Sequence, residues 1–88
     1  MLCTILSKAI LKMPTIARIG KILIRMFADD HNPPHFHVVT PDYQALIRIS
    51  DFSTIGGWVP SSIRQTALQW ASQNKERLER EWDRLRER

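Results

Sequence analysis

Three histidines and two carboxylates fall within nine residues, Asp29-Asp30-His31-Asn32-Pro33-Pro34-His35-Phe36-His37, wrapped around a proline pair. Imidazoles change charge near neutral pH, so each can hold a metal, give a proton or take one. Each proline fixes φ near −65° and biases the residue before it towards extended geometry, which makes the segment a stiff connection between strands. His35 and His37 lie two apart, and on a strand that spacing puts both rings on one face, ready to meet one ion or one phosphodiester.

Three chemistries fit this arrangement. As a metal site, His35 and His37 supply two nitrogens and His31, Asp29 or Asp30 supplies a third ligand, leaving an open position as in catalytic zinc centres. As a metal-free ribonuclease, one imidazole deprotonates the ribose 2′-hydroxyl and the other protonates the leaving oxygen. Arg25 or Arg48 then stabilises the charged phosphorane, and Tyr43 positions a base or phosphate. As a structural turn, Asp30 or Asn32 bonds the backbone, the prolines fix the bend, and a histidine packs against Trp or Phe. The chain has no glycine-rich phosphate loop and no zinc knuckle, which disfavours nucleotide hydrolysis.

The elements that must position these residues follow from apolar periodicity. Thr15 to Ile19 and Ile22 to Ala28 read as strands, split by Gly20-Lys21, where glycine in the first loop position suits a type II′ hairpin. Ile22, Ile24 and Met26 then share one face and Leu23, Arg25 and Phe27 the other. His35 to Thr40 is a third strand, Pro41-Asp42 a turn, and Tyr43 to Ile49 a fourth strand with Ala45, Ile47 and Ile49 on the apolar side. Asp51 to Pro60, with Gly56-Gly57, reads as a loop holding at most a brief edge strand at Ser53 to Ile55, and Trp58 as a lid over the core.

A capping box at Ser62 and Gln65 opens a helix that no Gly or Pro interrupts, about 24 residues and roughly 36 Å long. Ile63, Ala67, Trp70, Leu78 and Leu85 form its apolar stripe, with Trp82 beside it. Beyond Lys75 it is densely charged, with Lys75/Glu79, Glu76/Arg80 and Arg77/Glu81 spaced for i,i+4 pairing. Arg77, Arg80, Arg84 and Arg88 make a basic stripe interleaved with acids, which reads as a solvated or partner-facing surface anchored by Trp82. The fold class expected is α+β: a three- or four-stranded antiparallel meander packed against one long C-terminal helix.

Eighty-eight residues make one small domain with room for one core and one site. Hydrophobic residues at 43% and charged residues at 25% are globular values, and the +4 net charge favours an anionic partner. Cys3 is the sole cysteine, so no internal disulfide forms and a reducing cytoplasm suits the chain. Residues 1–12 read as an N-terminal extension, with Leu2, Ile5, Leu6 and Ala9 lining one face of a short helix. They are too short to span a bilayer, and the compact domain is expected to start at Met13-Pro14-Thr15-Ile16 and cover 13–88.

Met13-Pro14-Thr15-Ile16, Gly20, Ile24-Arg25-Met26, the His-x-Pro-Pro-His-x-His run from His31 to His37, and Leu78 through Trp82 resemble a bacterial family catalogued as domain-of-unknown-function family 4160. The resemblance runs from about Met13 to Trp82. It implies a small cytoplasmic protein encoded beside a second small protein, in an arrangement similar to toxin-antitoxin operons. The function expected is therefore an interaction component of such a module, with the neighbouring gene product, RNA or a second copy of the chain as partner. The alternative is a histidine-dependent ribonuclease or a metal-binding RNA-cleaving toxin. Asp30, His31, Tyr43, Trp82, Arg80 and Arg84 are the candidate binding residues, and His31, His35 and His37 the candidate ligands of a divalent metal such as zinc.

Overall fold

In the computed structural model, which describes residues 15–86, the β-branched runs pair in sequence order. Strands β1 (Thr15–Ile19), β2 (Ile22–Arg25), β3 (His35–Val39), β4 (Gln44–Arg48) and β5 (Thr54–Trp58) form one antiparallel sheet, each strand beside the next. Helices α1 (Ser61–Gln73) and α2 (Lys75–Arg86) follow. The expected extension over 1–12 and the domain start at Met13 lie outside the described residues.

Alternation decides the faces. Ile24, Met26, Phe36, Val38, Ala45 and Ile47 are fully buried and join Ala67, Ala71 and Leu78 of the helices in one core. Full burial of each large side chain contributes on the order of 1.5–3 kcal/mol. The opposite face carries Arg18, Leu23, Arg25, His35, His37, Val39, Gln44, Leu46 and Arg48, which the register sets across from one another. Gly20 has φ +60 and Lys21 has none of the left-handed character, the sign pattern of the expected type II′ turn joining Ile19 to Ile22. At the next tight turn Thr40 Oγ1 accepts the Tyr43 N–H at 3.0 Å and the Thr40 N–H donates to the Tyr43 carbonyl at 2.8 Å.

Three expectations need correction. The sheet has five strands, because Gly56-Gly57 lies inside β5 and not in a loop. Gly57, at φ +68, brings β5 so close to β4 that a Cβ there would collide with the Gln44 carbonyl. The single long helix is two. Asn74 sits between them at φ −131, its N–H bonding the Ala71 carbonyl at 3.0 Å and its side-chain amide donating to the Trp70 carbonyl at 2.8 Å. A short amide that bonds its own backbone ends a helix without Gly or Pro. At the start of α1 the cap position is Pro60, whose carbonyl accepts the Arg64 N–H, so Ser62 lies within the first turn and no capping box forms.

Candidate functional site: a buried Asp-His-His cluster

After Arg25 the chain leaves the sheet, and Asp30 fastens the turn by accepting the Phe27 N–H on Oδ2 at 3.0 Å while its own N–H donates to the Phe27 carbonyl at 3.1 Å. The Asn32-Pro33 peptide bond is cis, and the chain re-enters the sheet at His35. His35 and His37 do share a face, as their spacing predicts, with ring centroids 5.3 Å apart. Both are buried, 5% and 7% exposed.

Asp30 joins them. His37 Nε2 lies 3.2 and 3.1 Å from the two Asp30 oxygens, and His35 Nε2 lies 3.6 Å from Oδ2. Partners fix the tautomers. The Pro33 carbonyl only accepts, so His35 Nδ1, 2.8 Å away, carries its proton there. His37 donates from Nε2 to the carboxylate, and its Nδ1 accepts from the Gln44 side-chain amide at 3.0 Å. Burial lowers the His37 pKa below its ordinary value, against the raising influence of the Asp30 hydrogen bond and charge, so the ring is neutral at pH 7. Ligand atoms of Asp30, His35 and His37 all lie within 4.8 Å of one another.

Aromatic rings enclose the cluster. Phe27 meets His37 edge-on at 4.5 Å, and Trp82 of α2 lies 5.3 Å from His35. Arg86 then covers Trp82, its guanidinium 3.4 Å from the ring centroid, and donates to the Ala28 and Asp30 carbonyls. The last turn of α2 is thereby tied to the histidine-bearing connection.

The other expected site residues fall elsewhere. His31 and Asp29 are exposed, and the carboxylate that reaches the two rings is that of Asp30, so of the three third ligands offered by the sequence the structure brings Asp30, and neither His31 nor Asp29, to His35 and His37. Arg25 stands opposite His37 in register and donates to Thr15 Oγ1 at 3.3 Å. Arg48 stands opposite His35, but Asp51 holds its guanidinium through bonds of 2.9 and 2.7 Å. That bidentate pair also drives the Asp51 carboxyl far below the usual carboxylate range.

Tyr43 lies at the far end of β4, in edge contact with Trp58 at 5.3 Å. The roles expected of the two tryptophans are reversed: Trp58 is no lid but 63% exposed, and Trp82 is 4% exposed and closes the cluster in place of anchoring a partner. Arg80 and Arg84 are exposed, with Arg84 bonded to Glu81 at 2.6 Å. Lys75 and Arg77 turn away from the helix acids to the carbonyls of Ser50 and Ile16, where they tie α2 to the turn after β4 and to β1. The residue sequence reasoning missed is Gln44. Its signal was its place across from Val39, two residues along β4 from Leu46, which faces His37, and so on the same side of the sheet.

The fold and the cluster together define a small α+β protein, an antiparallel meander with two C-terminal helices that buries an Asp-His-His group at one end of the sheet. The model of the family described as Domain of unknown function (DUF4160) matches residues 22–83, and the chain belongs to that family. No curated protein and no solved structure gives a match. Among the described residues, no helix is long and apolar enough to cross a membrane.

Proposed function

We propose that Asp30, His35 and His37 bind a divalent transition-metal ion of the zinc class. In this reading the protein serves as the metal-holding interaction component of the paired, toxin-antitoxin-like module that the sequence resemblance implies. The observation that carries the metal reading is the convergence of two imidazole nitrogens and a carboxylate within 4.8 Å. Two nitrogens and one carboxylate are a standard ligand set for zinc with a fourth position open. His35 already has the outer hydrogen bond that orients such a ligand, its Nδ1–H on the Pro33 carbonyl. His37 acquires the same anchor once the Gln44 amide turns its oxygen towards Nδ1, which moves the ring proton there and frees Nε2.

RNA cleavage is the second reading, favoured by Arg25 standing directly across from His37. Cleavage by the two imidazoles alone requires a phosphodiester between rings that Phe27 and Trp82 cover, so a metal-dependent version suits the geometry better.

Titrating the metal-free protein with Zn²⁺ by calorimetry and with Co²⁺ by visible absorbance tests the metal reading. One equivalent should bind and give the intense bands of four-coordinate cobalt. His37→Ala should abolish binding, and Gln44→Met should weaken it about 10- to 100-fold by removing only the anchor. Absence of both heat and cobalt absorbance in the folded wild type would end the proposal.

A further inference from the structure

Register lines up one transverse row across all five strands: Arg18 opposite Leu23, Leu23 opposite Val39, Val39 opposite Gln44, and Gln44 opposite Trp58. Directly opposed residues share a face, so this row crosses the side of the sheet away from the core. Four strand spacings make it roughly 19 Å long. Its two ends differ in chemistry. At the β5 end stands the exposed Trp58 ring with Tyr43 set edge-on against it. At the β1 end a groove of about 380 Å³ is lined by Arg18, Lys21, Leu23 and Val39 among others.

Arg18, Lys21 and Arg25 have no carboxylate within ion-pair distance among the described residues. Residues 1–14 contain no Asp or Glu that could neutralise them. Asp30 is committed to the histidines, and Asp42, the residue after groove-lining Pro41, forms no ion pair with any of the three. Uncompensated cations beside an apolar floor suit a partner that is anionic along one side and flat and apolar along the other. A single-stranded nucleic acid has that form: phosphates for Arg18, Lys21 and Arg25, and a base to stack on Trp58.

We infer that the open face of the sheet binds single-stranded RNA or DNA across its strands, with Trp58 as the stacking platform and Arg18, Lys21 and Arg25 as the phosphate contacts. Gly56, two residues before Trp58 on the same face and opposite Leu46, keeps the sheet low beside the platform. The surface works independently of any ion at the Asp30 cluster.

The test is anisotropy of fluorescent 12-nucleotide single strands, RNA and DNA, over a salt series, with the full chain in chelator so that metal occupancy plays no part. Binding should weaken log-linearly with salt, and Arg18→Ala or Lys21→Ala should each lower the slope by about 0.7. Trp58→Ala should cost about 5- to 150-fold in affinity, and Trp58→Phe should recover most of it, because any aromatic face stacks a base. Thermal melts of each variant should match the wild type, since the substituted side chains are exposed. Unchanged affinity in Trp58→Ala, equal binding to a duplex of the same sequence, or tighter binding of polyglutamate would each overturn the inference, the last by marking an acidic protein as the partner.

Discussion

Asp30→Asn changes one atom and reverses one hydrogen bond. The carboxylate now accepts from both the Phe27 N–H and His37 Nε2–H. With its oxygen in the Oδ2 position the asparagine still accepts from both, but the charge is gone and its NH₂ stands where Oδ1 was, 3.2 Å from the His37 N–H, donor against donor. A charge-assisted bond contributes about 1.5–3 kcal/mol, and a chain of this length is stable by roughly 4–13 kcal/mol, so the loss is a large share of the total. At about 4–8 °C per kcal/mol for a domain of this size, Tm should fall by roughly 6–24 °C. Two further readouts separate this account from generic damage. In ¹H NMR titration the His37 pKa should move lower still, because Asp30 is the group that raises it. Zn²⁺ at about 100 times its Kd should stabilise the wild type by about 2.7 kcal/mol and the variant far less. A Tm loss under about 3 °C with an unmoved His37 titration would refute the idea that Asp30 holds the cluster together.

Stability should also depend on pH through His37. Its folded pKa lies below the ordinary value of 6.5, so as pH falls the unfolded chain takes up the proton first. Stability is then full above about pH 6.5 and declines below it towards the folded pKa, by at most about 1.4 kcal/mol per pH unit; urea midpoints at pH 7.5 and 5.5 read the sign, and a higher midpoint at pH 5.5 contradicts it. Gly57→Ala should cost at least about 2 kcal/mol in urea unfolding, since it combines a left-handed backbone with a collision on β4. Gly56→Ala, whose Cβ would meet the Leu46 side chain at an ordinary 3.7 Å, should stay within about 1 kcal/mol and serves as its control.

What the sequence made legible was what local chemistry decides. Gly20 dictated the first turn, β-branched alternation sorted the faces of β2 and β4, and the His-x-His spacing put both rings on one side. What it concealed depended on partners distant in the chain. Two adjacent glycines signal a loop unless a neighbouring strand needs to approach, and only the sheet reveals that Gly57 meets Gln44. Asn74 carried a weak breaker signal that a helix free of Gly and Pro made easy to pass over. The charges around Trp82 suggested a wet surface, whereas its spacing of four from Leu78 and three from Leu85 was the better guide to its burial. His31 and Asp30 were equal candidates by position. Asp30 prevails because its oxygen also ties down the Phe27 amide, which aims the carboxylate inward.

The closure of the histidine cluster by α2 sets an order of events. The sheet is joined entirely by neighbouring strands, contacts that form fast because little chain must be gathered to make them. Trp82 and Arg86 reach the cluster from the other end of the chain, Arg86 bonding Asp30 across 56 positions. Loop-closure entropy places that step after the meander, so the imidazoles are born open to solvent and sealed late. Whatever the cluster captures while open is locked in by the docking of α2, and its release waits on the undocking of that same turn.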